Sequence, residues 1–362
     1  MIRFLHAADL HLDAPFSALT PEQAAARRRE QLELVRGLFE AANENGCALV
    51  LLAGDVFDAE SAGADTVSAF QRACAACRAE IFIAPGNHDP CRKGARYEED
   101  SWPSNVHIFR THQISKIALP ALSCAVYGAG FEAANEPSLL EGFSEDSGAL
   151  SLMVLHGDAT QKDSPYNAVS KEQIASSGLT YLALGHIHQA SGLLRAGKTY
   201  YAWPGCAMGR GFDELGEKGA YVGEISDAGE VTLRFLPLGG RKYEILTLEP
   251  GDDALCAVEA ALPAQTQADI YRIILKGEAA PVDLPALRQA LEGRFFGLSL
   301  RDETRPKQEL WQGAGEDTLR GLFLGKLRAQ YDEAEDEETK RTIALAARLG
   351  LAAMEGRLEV TA

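Results

Sequence analysis

The stretch Val50-Leu51-Leu52-Ala53-Gly54-Asp55-Val56-Phe57-Asp58 is a short apolar run that ends in a glycine and two carboxylates. An apolar run of this length predicts a buried strand, and Gly54-Asp55 predicts the loop at its carboxyl end. In open α/β sheets, ligands bind in the crevice beyond the carboxyl ends of the strands. Asp55 therefore lies where a ligand or a metal ion is expected.

The same pattern recurs along the first half of the chain, where apolar segments predicted as strands are each followed by polar residues. Helical patterns separate the first three of these strands, and such alternation predicts an α/β fold with its loops gathered at one edge. The polar residues that follow the five strands are Asp9 and His11, Asp55, Asn87 and His88, His156, and His186 and His188. One histidine at a strand end is usually structural, but five such loops in succession indicate a site.

The later sequence predicts further strands and a smaller second part. Short strands between residues 200 and 248 predict a second, largely antiparallel sheet, and two sheets with helices outside form a four-layer α/β/β/α sandwich. We expect this first domain to span residues 1–240. Residues 241–310 predict a small β-α-β capping domain, and residues 311–362 predict two C-terminal helices.

Composition limits the kind of protein. The net charge of −17 argues against a polybasic surface for nucleic acid or anionic lipid, although metal ions could neutralise the phosphates of a substrate locally. The apolar runs are shorter than a bilayer span and no signal peptide opens the sequence, so we expect a cytoplasmic protein without a membrane partner. Seven scattered cysteines predict reduced thiols.

The types of side chain in the five loops indicate the metal. Carboxylate and amide oxygens combined with imidazole nitrogens, and without thiolates, suit manganese or iron, with zinc or magnesium less favoured. Seven of these eight side chains, taken together as ligands, are too many for one ion. They suit two ions that share a bridging carboxylate. Two such ions clamp a phosphoryl group, which predicts phosphoester chemistry.

Five motifs resemble those of the calcineurin-like metallophosphoesterase superfamily over about residues 1–190. They are Asp9-x-His11, Gly54-Asp55-x-x-Asp58, Gly86-Asn87-His88-Asp89, His156-Gly157 and Gly185-His186-x-His188. Gly-Asp-Val-Phe-Asp and Gly-His-Ile-His, with a C-terminal extension, resemble the SbcD-type DNA repair exonucleases. The stretch from Asp9 to Phe16 is closer to the YhaO-like branch, because SbcD proteins usually have a glycine after its leucine.

The resemblance implies a role for each matching residue. Asp9, His11, Asp55 and His188 would hold one metal ion, and Asp55, Asn87, His156 and His186 the other. His88 would be a catalytic residue outside the ligand set that contacts the scissile phosphate and protonates the leaving oxygen. Asp58 would orient His88.

The resemblance also implies a manganese-dependent 3′→5′ DNA exonuclease, with endonuclease activity as a further expectation. A homodimer and an SbcC- or YhaN-like coiled-coil ATPase would be its partners, with the cap contacting DNA and the C-terminal helices docking on the ATPase. Two alternatives stay open. One is a phosphoesterase for a small nucleotide or cyclic nucleotide, and the other is a mainly scaffolding subunit of an ATPase complex.

Overall fold

The computed structural model describes residues 1–59, 62–98, 101–251, 253–279, 282–306 and 310–354. The strands are β1 (Ile2–Ala7), β2 (Leu49–Leu52), β3 (Glu80–Ile83), β4 (Val106–Ile108), β5 (Ser115–Leu119), β6 (Cys124–Gly128), β7 (Leu150–His156), β8 (Tyr181–Gly185), β9 (Leu194–Ala196), β10 (Thr199–Ala202), β11 (Gly219–Ile225), β12 (Val231–Pro237), β13 (Tyr243–Leu248), β14 (Ile270–Ala279) and β15 (Gly297–Pro306). The α-helices are α1 (Pro21–Glu44), α2 (Ala64–Ala76), α3 (Lys171–Ser177), α4 (Ala254–Ala261), α5 (Leu284–Ala290), α6 (Leu319–Glu333) and α7 (Glu337–Met354).

Two six-stranded sheets carry the site. The first has the order β12-β11-β1-β2-β3-β4, in which β1 to β4 are parallel and β11 and β12 are antiparallel to their neighbours. The second has the order β5-β6-β7-β8-β10-β9, in which β6, β7, β8 and β10 are parallel. A third sheet has the order β13-β14-β15. Parallel strands place their carboxyl ends at a common edge of each large sheet.

Three buried clusters show how the two large sheets are covered. Phe4, Leu51 and Phe82 of the first sheet pack with Val154 and Tyr181 of the second, so one core lies between the sheets. A second core joins the other face of the first sheet to α1 and α2, and a third joins the second sheet to α3. The order of layers is therefore helix, sheet, sheet, helix, as the sequence predicts.

The prediction of a largely antiparallel second sheet is wrong. The second sheet is mainly parallel, with antiparallel strands only at its two edges. Strands β11 and β12 instead form a hairpin that extends the first sheet, with Ile2 of β1 paired to Ile225 of β11. This pairing joins residues more than 200 positions apart, and alternation within a hairpin does not reveal which sheet it joins.

The chain divides into two compact units. The first contains Met1–Ile245, Gln265–Arg272 and Gly293–Ser299, and the second contains Leu246–Ala264, Ile273–Glu292 and Leu300–Ala362. The second unit includes α4, which was not expected from the sequence pattern, and the hairpin of α6 and α7, whose core contains Leu324, Ala347 and Leu351. The predicted boundaries at residues 240 and 310 stay a prediction. Within the described ranges, no helix is both long enough and apolar enough to cross a bilayer.

His6 of β1 is a fully buried histidine that links the two sheets. Its Nε2–H donates to the carbonyl of Leu184 at 3.0 Å, and its Nδ1 accepts from the hydroxyl of Tyr181 at 2.9 Å. Burial lowers the pKa of His6 from 6.5 to about 3, although the Leu184 carbonyl and the charge of Asp9 oppose this shift. The imidazole is therefore neutral in the folded protein over the physiological range.

We expect this histidine to make the protein sensitive to acid. Below pH 6.5 the unfolded chain binds a proton that folded His6 rejects, so the free energy of unfolding falls by about 1.4 kcal/mol per pH unit until the pH approaches 3. Urea unfolding with a chelator at pH 7 and pH 5 should show that the wild type loses about 2 kcal/mol more than His6→Gln. Equal losses in the two proteins would contradict this account.

Candidate metal centre

Five loops at the carboxyl ends of β1, β2, β3, β7 and β8 meet at one edge of the sheets. The backbone takes left-handed conformations there, with φ of 51° at Asp9, 44° at His11, 50° at Asp55 and 86° at His186. The loops hold one another through main-chain hydrogen bonds, from Asp9 N to Gly54 O (3.0 Å) and from His11 N to Asp55 O (2.9 Å). Left-handed non-glycine residues persist where the surroundings fix them, and they cluster at functional sites.

Asp55 lies at the middle of this arrangement and is 1% exposed. Its Oδ2 lies 3.7 Å from Nε2 of His11 and 3.5 Å from Nε2 of His156. Its Oδ1 accepts a hydrogen bond from the main-chain N–H of His88 at 2.9 Å. One carboxylate oxygen thus faces histidines from both predicted ligand groups, as a shared ligand must.

The first ligand group joins Asp9, His11 and His188. Nε2 of His188 lies 3.7 Å from Oδ1 of Asp9 and 3.4 Å from Nε2 of His11. Nδ1 of His11 lies 3.1 Å from Asp58 Oδ1, and Nδ1 of His188 lies 2.7 Å from Glu214 Oε1. Because each Nδ1–H donates to a carboxylate, both Nε2 atoms point towards the predicted metal position.

The second ligand group joins Asn87, His156 and His186. Nδ1 of His156 donates to the carbonyl of Ala53 at 2.9 Å, so its neutral form carries a lone pair on Nε2. That Nε2 lies 2.9 Å from Oδ1 of Asn87, which is also 3.2 Å from Nδ1 of His186. Oδ1 of Asn87 is therefore close to one nitrogen of each histidine, which groups these three predicted ligands at one place.

The carboxylates of the site favour positive charge on two of its histidines, His188 and His156. Burial by itself lowers the pKa of His188, but the carboxylates of Asp9 and Glu214 outweigh burial and raise this pKa to about 10. Burial raises the pKa of Asp9, yet the neighbouring His188, His156 and His11 lower it to about 2. The charges of Asp55 and Asp9 likewise raise the pKa of buried His156 against the effect of burial.

The donors present therefore fit divalent ions. Ligand atoms of Asp9, His11 and His188, and of Asp9, Asp55 and His156, lie within 4.8 Å of one another. Cys206 lies near His188, but burial raises the pKa of its thiol to about 12, and its Sγ is 3.6 Å from the carbonyl of His188. The ligand set is thus oxygen and imidazole nitrogen, without a thiolate.

His88 differs from the other histidines of the site because it is exposed. Its Nδ1 donates to the main-chain carbonyl of Asp58 at 3.1 Å, and no described residue provides a hydrogen-bond partner for its Nε2. Its ring meets that of His11 edge to face, with ring centroids 4.7 Å apart. Asp58 thus contacts His88 through its carbonyl, whereas its carboxylate contacts His11.

Sequence reasoning missed two residues beside the predicted ligands, one that contacts a ligand directly and one that contacts it through a carboxylate. Glu214 accepts from His188, and Arg210 donates to Glu214 Oε1 at 3.0 Å and to Asp58 Oδ1 at 2.8 Å. Both residues lie in the loop between β10 and β11, where no apolar strand end or motif marks them. Charged residues four positions apart in a loop are too common to have revealed them.

Two further buried residues hold the loops, and their roles also went unassigned. Asp89 accepts from the main-chain N–H groups of Phe57 and Gly86 at 3.0 and 2.8 Å, which ties the loop after β2 to the loop after β3. Asn167 donates to the carbonyl of His156 at 2.7 Å. The Asp89 carboxylate was visible within the Gly-Asn-His-Asp motif, whereas Asn167 lies outside every motif.

Gly86 is a glycine because Asp55 lies against it. A Cβ at residue 86 would lie 2.2 Å from Asp55 Oδ1 and 2.8 Å from the Asp55 main-chain nitrogen. We expect Gly86→Ala to displace Asp55 and weaken metal binding by about 10- to 100-fold or more. Calorimetric manganese titration would measure this loss. Gly37→Ala is the matched control, since a Cβ there meets nothing within 4 Å and should leave metal binding unchanged.

Sequence comparisons relate this chain to known proteins. Residues 2–190 match the calcineurin-like phosphoesterase family. The chain is 30% identical over 339 residues to the uncharacterized metallophosphoesterase YhaO of Bacillus subtilis (strain 168), an alignment that covers 86% of this chain and 80% of YhaO.

The solved structures that align with about two thirds of this chain are more distant in sequence. A dimetal phosphatase from Danio rerio aligns with 10% identity and a TM-score of 0.43, covering 66% of this chain and 96% of that one. The protein TT1561 of Thermus thermophilus aligns with 13% identity and a TM-score of 0.40, covering 65% of this chain and 98% of that one. The family match and the similarity to YhaO show that this chain belongs to the calcineurin-like phosphoesterase family.

Proposed function

We propose that this protein is a two-metal phosphodiesterase that hydrolyses DNA as a manganese-dependent 3′→5′ exonuclease in DNA repair. The shared position of Asp55 Oδ2 between His11 and His156 carries the two-metal part of the proposal. When bound, two divalent ions would stabilise charge on the phosphoryl oxygens and acidify a water molecule. The choice of DNA rests on the resemblance of the strand-end motifs and the C-terminal extension to SbcD-type and YhaO-like proteins.

Metal binding and proton transfer would be carried out by different residues of the chain. Asp9, His11 and His188 would hold one ion, Asn87, His156 and His186 the other, and Asp55 both. His88 is exposed, and its Nδ1 is held by the carbonyl of Asp58, so its Nε2 is available to donate a proton to the leaving 3′-oxygen. A correctly oriented imidazole suits this role, because it can donate a proton to a leaving oxygen within hydrogen-bond distance.

The experiment is hydrolysis of DNA labelled separately at its 5′ and 3′ ends, with manganese, with a chelator, and with His88→Ala. Release of labelled mononucleotides first from the 3′ end, abolished by the chelator and by the variant, is the expected result. Products of any other polarity would refute the exonuclease assignment while leaving phosphodiester chemistry in place. Replacing manganese by iron, zinc or magnesium would test the choice of metal.

The net charge of −17 favours a second candidate, a phosphoesterase for a small nucleotide or cyclic nucleotide. A protein that binds DNA on its own usually presents a basic surface. Comparing kcat/KM for cyclic nucleotides with that for DNA decides between the two candidates. A value for a cyclic nucleotide far above that for DNA would favour the small substrate.

We further propose that an SbcC- or YhaN-like ATPase supplies much of the DNA affinity and that the cap contacts DNA. We also propose that the protein acts as a homodimer in the cytoplasm.

The hairpin of α6 and α7 is the proposed docking surface for the ATPase. Its exposed apolar side chains support this role, because Leu319, Leu322 and Leu345 are 76%, 63% and 56% exposed. Leu322→Glu should abolish ATPase binding in a pull-down, while Ala329→Glu in the same helix should not. If DNA hydrolysis were dispensable for the role of the complex, the scaffolding alternative would be favoured.

A further inference from the structure

The two halves of the metal centre are held in different ways. His156 is fixed by a main-chain carbonyl, and His186 contacts Asn87, itself a predicted ligand. His11 and His188 are instead each held by a carboxylate that is not a predicted ligand, namely Asp58 and Glu214. Arg210 joins these two carboxylates, so one chain of hydrogen bonds runs from His11 through Asp58, Arg210 and Glu214 to His188.

Glu214 is built into this chain as a charged group. It is 5% exposed, and its two oxygens accept from Nδ1 of His188, from a guanidinium nitrogen of Arg210 and from the main-chain nitrogen of Arg210 at 2.7 Å. A carboxylate at Nδ1 fixes the orientation of an imidazole and makes its other nitrogen a better metal ligand.

Arg210 can bind both carboxylates at once because a guanidinium presents several donors in a fixed plane. One terminal nitrogen donates to Asp58 at 2.8 Å and the other to Glu214 at 3.0 Å. A lysine ammonium is a compact charge on a flexible stem and does not reproduce this fork. The single positive charge of Arg210 also offsets part of the negative charge that two carboxylates bring to one buried place.

We propose that Glu214 and Arg210 are positioning residues that set the metal affinity of one half of the centre, the half formed by Asp9, His11 and His188. The other half does not depend on them, because its histidines have different partners. This inference rests on the proposed two-metal site and identifies residues outside the recognised motifs that control its occupancy. Loss of Glu214 should therefore weaken the binding of one ion and leave the affinity for the other unchanged.

The test is a manganese titration of the protein by calorimetry, with metal content measured separately by mass spectrometry. The wild type should bind two ions. Glu214→Gln should bind one ion with unchanged affinity and the second about 10- to 100-fold more weakly. The paramagnetic resonance spectrum should change from that of a coupled pair to that of an isolated manganese ion. Glu217→Gln is the matched control, because Glu217 pairs with Lys242 at 3.5 Å on the surface and contacts no predicted ligand.

Each outcome decides the inference. Unchanged binding of both ions in Glu214→Gln, or equal weakening of both, would overturn it. A role only in folding would lower the melting temperature in chelator without separating the two affinities. If Glu214→Gln fails to fold, Arg210→Lys provides the same measurement. A wild type that binds one ion would refute the two-metal proposal by itself, and loss of that ion in Glu214→Gln would still support the positioning role.

Discussion

Asp55→Asn should release both metal ions and reduce phosphodiesterase activity by about a thousandfold or more, because several kcal/mol of transition-state stabilisation are lost. Asparagine keeps the shape of the side chain but removes the negative charge that two cations would share. The surroundings cannot adjust to this loss, since Asp55 is 1% exposed and its Oδ2 lies between His11 and His156.

The prediction for the shared ligand Asp55 can be compared with that for a ligand that would bind only one ion. His186→Gln should lose one ion and keep the other, because its predicted partners Asn87 and His156 belong to one half of the site only. Metal content after gel filtration, together with kcat on a phosphodiester, would measure the difference. Asp65→Asn, which changes an exposed carboxylate in the first turn of α2, should behave as the wild type. Retention of two ions by Asp55→Asn would show that this carboxylate is not shared.

The sequence predicts that the ligand loops meet at one edge, because neighbouring parallel strands bring the loops at their carboxyl ends together. Asp9, Asp55 and Asn87 follow strands β1, β2 and β3, which are parallel neighbours, so their loops necessarily meet at one edge. His156 and His186 follow β7 and β8, which are parallel neighbours in the second sheet. An apolar strand followed by a polar loop indicates only the local structure. Several such strands in one parallel sheet indicate a binding site, because their loops lie side by side.

Contacts that arise from long-range pairing could not be read in this way. Strand β11 pairs with β1, and nothing in the alternation of its residues indicates that partner. Arg210 and Glu214 reach the site from the loop that precedes β11, so predicting their role would have required that pairing first. The carboxylate of Asp58 lies on His11 because the loops after β1 and β2 are joined by main-chain hydrogen bonds. The spacing of residues in the sequence does not predict the direction in which such a side chain points.

The net charge of the whole protein and the charge at the predicted metal centre affect binding in different ways. The value of −17 describes the whole surface and bears on its partners, whereas Asp9, Asp55, Asp58 and Glu214 are gathered around one centre with Arg210 as the facing cation. Bound divalent ions would reverse the sign of the potential at that place. An acidic protein could therefore still attract a phosphodiester to this one centre once divalent ions are bound there.

His88→Asn should separate proton transfer from metal binding. His88 is exposed and is not in the proposed ligand set, so the variant should retain both ions while kcat for an ordinary phosphodiester falls by about 10²- to 10⁴-fold. KM should change little, because the metal ions rather than His88 would hold the phosphoryl oxygens. His112→Asn, which changes an exposed histidine near Glu132, is the matched control.

The leaving group decides whether His88 acts as an acid. A nitrophenyl ester leaves as a stable anion and needs no proton, so the defect of His88→Asn should shrink to a small factor on that substrate. It should remain large on a dinucleotide, whose 3′-oxygen leaves as a basic alkoxide unless it is protonated. An equal defect on both substrates would show that His88 only binds the phosphate. In that case the proton would have to come from another group, and the hydrogen bond from His88 to the Asp58 carbonyl would position a binding residue instead of an acid.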